Sequence, residues 1–90
     1  MLFRSAAAPP VREAAARTLG TLGRAQDIKP LARVLHGDRV ASVRVAAAES
    51  LGVLGGPLAA SALSQALRDP DAHVQHVAQR NLARLGFGSP

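Results

Sequence analysis

Self-similarity is the feature that most narrows what this chain can fold into. The blocks VREAAARTLGTLG (Val11 to Gly23), VRVAAAESLGVLG (Val43 to Gly55) and VQHVAQRNLARLG (Val74 to Gly86) begin 32 and then 31 residues apart. A period near this length belongs to stacked helical units, each of which buries its apolar face only against a neighbour. In every block the apolar or small residues recur at i, i+3, i+4, i+7, i+8 and i+11, one stripe of a helix. The stripes are Val11, Ala14, Ala15, Thr18, Leu19 and Leu22; Val43, Ala46, Ala47, Ser50, Leu51 and Leu54; and Val74, Val77, Ala78, Asn81, Leu82 and Leu85.

Punctuation residues set the expected boundaries. Pro9 and Pro10 suit the first turn of a helix, where proline costs no internal hydrogen bond, and glycine closes each block. Helices are therefore expected over 9–22, 41–54 and 72–85, the A helices. Shorter B helices are expected between them. One runs over 28–36 with Ile28, Leu31, Ala32 and Leu35 inward, and one over 57–68 with Leu58, Ala62, Leu63, Ala66 and Leu67 inward. Asp27 and Asp71 stand where side-chain caps of the following helices are expected. The expectation is an all-α fold, a short right-handed α-solenoid of about five helices in the order A-B-A-B-A. Residues 1–8 read as a flexible tail and 9–86 as the repeat domain, with repeats over about 9–38, 39–70 and an incomplete 71–86. Residues 87–90 read as a second tail. No B helix follows the third block, so an apolar flank is expected to stay open there. Phe87 could fold back over it, and self-association through this uncapped end is a consequence.

Composition limits the chemistry. Ninety residues make one domain. Apolar residues are 48% of the chain but aromatics only 2%, so the core must be Ala, Leu and Val. There is no cysteine, which removes disulfides, thiol nucleophiles and thiolate metal sites and fits a reducing, cytoplasmic setting. No apolar run approaches the ~18 residues that span a bilayer, so no membrane role is expected. The formal net charge is +5, and ten of the eleven basic residues are Arg. Such a surplus favours anionic partners.

The blocks Val11-Arg12…Leu19-Gly20…Leu22-Gly23 and Val43-Arg44…Leu51-Gly52…Leu54-Gly55 resemble HEAT-like repeats of the phycobilisome-lyase type. The resemblance covers about residues 9–86 and implies a helical binding scaffold. The third block departs from it at Gln75, Asn81 and Ala83, as suits a terminal repeat. Deoxyhypusine hydroxylases resemble this fold and hold two irons on His-Glu pairs. The matching positions here are Arg12-Glu13, Arg44-Val45 and Gln75-His76, so that activity is not expected. A bilin lyase-like subunit is a distant alternative, and nothing in the sequence marks a pigment pocket.

Candidate sites are few. Arg12 and Arg44, with Asp38 and Asp71 in the inter-repeat linkers, are expected to form a structural ladder tying neighbouring repeats. His73 and His76, three apart and near Asp69 and Asp71, are weak metal candidates without a fixed third ligand. No metal or cofactor is expected. Lys29, Arg33, His36, Ser61, Ser64, Gln65 and Arg68 lie off the B-helix stripes and should line one basic-polar, concave face. No Ser-His-Asp arrangement, phosphate loop or carboxylate pair occurs, so an enzyme is not expected. The favoured reading is a non-catalytic protein–protein interaction scaffold docking an acidic partner on that face. The alternative is nucleic-acid binding through the phosphate backbone.

Overall fold

The computed structural model describes residues 7–87. Residues 1–6 and 88–90, most of the two expected tails, lie outside the described residues. Five helices follow one another: α1 (Pro9–Leu22), α2 (Ile28–Gly37), α3 (Ala41–Leu54), α4 (Gly56–Ala66) and α5 (Ala72–Arg84). A single 3-10 turn, Ala25–Asp27, precedes α2, and no strand occurs among the described residues. The bounds of α1 and α3 match the sequence expectation. The expected helix over 57–68 instead starts one residue earlier and ends at Ala66. Its close is a series of tightened turns, with the N–H groups of Leu67, Arg68 and Asp69 donating to the carbonyls of Ser64, Gln65 and Ala66 at 3.1–3.2 Å.

The helices form two layers. The A helices α1, α3 and α5 lie side by side, and the B helices α2 and α4 cover one side of them. Each layer can be thin because Ala is the commonest buried side chain, with Leu31, Leu35, Leu51, Leu63, Val43, Val74 and Val77 as the fully buried larger apolar ones. The principal extents of 40 × 28 × 15 Å fit two layers of helices. Helix α3 packs on all four other helices. It is buried nearly all round, which explains why its sequence is so uniformly apolar. By contrast α1 leans almost entirely on α3, and α2 also rests on α3 rather than on α1.

Three expectations about the stripes need correction. In α1 the buried set is Arg12, Ala15, Ala16, Leu19 and Gly20, while Val11, Ala14, Thr18 and Leu22 are exposed. The helix presents the same side to the core as α3 does, and its other flank is open because it has an A-layer neighbour on one side only. The equivalent residues Val43, Ala46 and Ser50 are buried in α3, where that neighbour is α1. In α4 the inner stripe is Ala59, Ala62, Leu63 and Ala66, leaving Leu58 and Leu67 exposed by 57% and 41%. In α2, Val34 joins Leu31 and Leu35 in the core, while Ile28 and Ala32 are half-buried. The third A helix also differs from expectation. The outward side chains of α5 are His73, Gln75, His76, Gln79, Arg80 and Arg84, with only Ala72 and Ala83 apolar. Its open flank is polar, so α5 offers no apolar flank for the self-association expected from the sequence. Phe87 does not fold back. It is 59% exposed, and its N–H donates to Leu82 O (2.9 Å) as part of a helix-ending motif around Gly86 at φ +86°.

Candidate partner-docking face

The A layer holds the α2/α4 face in place through two joints of the same design. At the first, Gly20 of α1 faces Ser50 of α3. A Cβ on Gly20 would lie 2.7 Å from Ser50 Cβ and 2.9 Å from its Cα, so only glycine admits this approach. The Ser50 hydroxyl donates across the joint to Ala16 O at 2.6 Å. At the second, Gly52 of α3 faces Asn81 of α5, and a Cβ on Gly52 would lie 2.9 Å from Asn81 Cβ and closer still to its amide. Here the polar side chain turns back. Asn81 Nδ2 donates to Val77 O of its own helix (2.9 Å), and buried Oδ1 fills the space that glycine leaves, without a hydrogen-bond partner among the described residues.

An arginine clasps each linker. Arg12 Nε and Nη2 donate to the two carboxylate oxygens of Asp38 at 2.8 and 3.0 Å. Arg44 grips Asp69 in the same two-pronged way at 2.9 and 3.0 Å. Both carboxylates also accept a turn N–H two residues on, from Val40 and from Asp71, at 2.9 Å. The remaining Arg nitrogen reaches back to a linker carbonyl, Ala7 for Arg12 and Asp38 for Arg44. The ladder thus uses Asp69 where Asp71 was expected. Asp71 caps α5 instead, accepting from His73 N (2.8 Å) and Val74 N (3.0 Å). The expected cap at Asp27 is absent, because its carboxylate is taken by Arg24 at 2.9 Å. Burial pushes the Asp38 carboxyl up, but the hydrogen bonds from Arg12 and Val40 and the charges of Arg12 and Arg44 outweigh it and hold the group below the usual carboxylate value. The same hydrogen bond, opposed by desolvation, raises Arg12.

On the outer side of the A layer, Arg17 pairs with Glu13 (3.3 Å) and with Glu49 of α3 (3.2 Å), and Arg80 of α5 approaches the same Glu49 at 3.5 Å. The Glu49 hydrogen bond, opposed by desolvation and aided by Glu13, raises Arg17. A shallow depression of about 370 Å³ lies here, lined by Arg17, Gly20, Thr21, Glu49, Ser50 and Val53. Its carboxylate is paired with arginine, and both its hydroxyls donate to helix carbonyls, Ser50 to Ala16 O and Thr21 to Arg17 O.

The opposite side is different in kind. Lys29, Arg33 and His36 of α2, Ser61, Ser64 and Gln65 of α4, and Arg68 just past its end are all exposed. Neither B helix contains an Asp or Glu. Five of the six carboxylates of the chain pair with Arg in the A layer and its linkers, and the sixth, Asp71, is a cap. Lys29, Arg33 and Arg68 therefore have no carboxylate in ion-pair range among the described residues. His73 and His76 are both exposed, and no group of three His, Cys, Asp or Glu among the described residues is placed to hold a metal. Sequence reasoning missed Asp69 and the Gly20–Ser50 and Gly52–Asn81 joints. The spacing held a signal for the first. Arg12 and Asp38 are 26 residues apart and Arg44 and Asp69 are 25, tracking the shortened period.

The sequence matches the family pattern described as HEAT repeats over residues 2–83, starting ahead of α1. No curated protein matches the chain at a significant level. Modules of this kind are generally protein-interaction scaffolds and usually non-catalytic. No described helix is long and apolar enough to cross a membrane. With two layers of helices, the repeated Arg–Asp clasp and a match over nearly its whole length, this chain belongs to the HEAT repeat family.

Proposed function

We propose that the chain is a non-catalytic interaction module that docks an acidic segment of another protein on its α2/α4 face. The observation that carries this is the segregation of charge. All six side-chain carboxylates are committed elsewhere, while Lys29, Arg33 and Arg68 stand on a face without one among the described residues. An incoming carboxylate there meets no like charge and no competing internal partner. The polar residues Ser61, Ser64 and Gln65 beside them supply hydrogen-bond donors at the rim. The same face has no aromatic side chain on which a base could stack, which favours a protein over a single-stranded nucleic acid.

The test is binding of a labelled Glu-rich peptide at low salt, with and without the triple charge reversal Lys29→Glu, Arg33→Glu and Arg68→Glu. All three sites are exposed, so the fold is retained. Each surface pair is worth roughly 0.2–1 kcal/mol, so losing three should weaken binding by roughly threefold to a hundredfold. Equal binding by the reversed variant, or none by the wild type, overturns the reading. Tighter binding of generic duplex DNA than of the peptide assigns the face to a phosphate backbone instead.

A further inference from the structure

The two ends of the A layer are not equivalent. At each internal joint the incoming helix presents a Val, an Ala or Val, a polar knob and a Leu, as in Val43, Ala46, Ser50 and Leu54 and in Val74, Val77, Asn81 and Leu85. The receiving helix presents the seat, Ala16 and Gly20 in α1 and Ala48 and Gly52 in α3. Helix α1 carries the incoming pattern unchanged on the side opposite α3, as Val11, Ala14, Thr18 and Leu22. No described residue covers it, and Val11 and Leu22 are 57% and 54% exposed. The approach to α1 is also that of an internal repeat. The N–H groups of Val11 and Arg12 both donate to Ala8 O, as those of Val43 and Arg44 both donate to Val40 O.

The outer edge of α5 is closed. Where the seats have Ala and Gly it has Gln79 and Ala83, and a Cβ at the glycine position strikes the knob. The ion pairs across the joints alternate in sign, Arg17 with Glu49 and Glu49 with Arg80. A second copy stacked head to tail would bring its Arg80 beside Arg17. Shape and charge both refuse that contact, and they specify what the α1 flank accepts.

We infer that the exposed flank of α1 is a stacking surface for the terminal A helix of a different HEAT-type unit, one whose outer edge reads Ala-Glu-x-x-Gly. The interface continues the α1–α3 packing in the opposite direction. The glycine receives Thr18, the alanine lies against Ala14, and the glutamate extends the alternation by meeting Arg17. This surface is separate from the α2/α4 face and works independently of it.

The experiment gives α5 the missing seat. In the variant Gln79→Ala, Arg80→Glu, Ala83→Gly, all three sites are exposed, and the one contact given up is the exposed Arg80–Glu49 pair at 3.5 Å. Sedimentation at increasing concentration should show growth from one chain to two or more, where the wild type stays a single chain. Adding Thr18→Arg should return the variant to a single chain. If the added glycine loosens the last turn of α5, as circular dichroism would show, the wild-type chain is titrated instead with a helical peptide carrying Ala-Glu-x-x-Gly, as in residues 41–54, and binding that Thr18→Arg abolishes is the expected result. A folded variant that stays a single chain overturns the inference, as does association indifferent to Thr18→Arg. A wild-type chain that already pairs, and is dissolved by Thr18→Arg, overturns it too and assigns the flank to a second copy.

Discussion

The joints α1–α3 and α3–α5 share a seat and a clasp but differ in their knob. Ser50 donates across its joint to Ala16 O, whereas Asn81 donates within its own helix and leaves Oδ1 unpartnered over Gly52. Two different polar side chains therefore fill the same gap, one bonding across it and one not. The common element is the glycine, so the close approach of the backbones fixes the geometry of the stack. The cross-joint hydrogen bond follows from that approach and does not create it.

That conclusion can be broken most directly at Leu51, which is fully buried in α3 beneath both joints. Leu51→Ala is expected to lower stability by about 2–5 kcal/mol, read from denaturant midpoints at unchanged slope. A loss below about 1 kcal/mol would mean that the two joints do not share one core. The next effect in size separates the joints. Gly20→Ala and Gly52→Ala should each cost about 1–3 kcal/mol through overpacking. The Gly20 change should cost more if the neighbouring backbone decides, because the added carbon meets Ser50 Cα, while at Gly52 the nearest atoms all belong to the Asn81 side chain. Equal and negligible losses would show that the helices separate freely and that glycine is not required.

The smallest expected effect concerns the clasp below the first joint. The Asp38 carboxyl sits below its usual value in the folded chain. The unfolded chain therefore binds more protons on the acid side, and stability falls as pH drops. The contribution is complete above the unfolded value of about 3.9 and disappears as pH falls through the folded one. Asp38→Asn should be less stable than the wild type at neutral pH, and the gap should narrow below about pH 4. A gap of constant size across that range would mean that the carboxylate charge contributes nothing to the clasp.

Much of the fold could be read from the sequence because repetition and punctuation agreed. Pro9, Gly23, Gly55 and Gly86 bound helices whose stripes recur with the blocks. Which flank of α1 stays open could not be read. Ala14, Ala15 and Ala16 are equally apolar, so periodicity alone does not say which two face the core, and the guanidinium of Arg12 hides in the buried stripe only because Asp38 neutralises it. Asp69 and Asp71 flank Pro70 and differ by two positions. Their roles separate only once the path of the turn puts one under Arg44 and the other at the start of α5. The charge imbalance of the α2/α4 face was visible as a list of basic side chains. Its physical basis was not, since it depends on where each carboxylate is consumed.

The shared carboxylate of Glu49 has a consequence for how the molecule meets others. Lying between Arg17 and Arg80, with Glu13 beside them, it leaves the outer side of the A layer close to electrically silent, apart from Arg84 at the far end. Three of the cations without a carboxylate partner among the described residues, Lys29, Arg33 and Arg68, lie on the other side, giving the described helices a lopsided field. A negatively charged macromolecule diffusing nearby would be turned toward α2 and α4 before touching anything. The Arg–Glu chain across the A layer thus acts on the kinetics of encounter, by removing competing orientations.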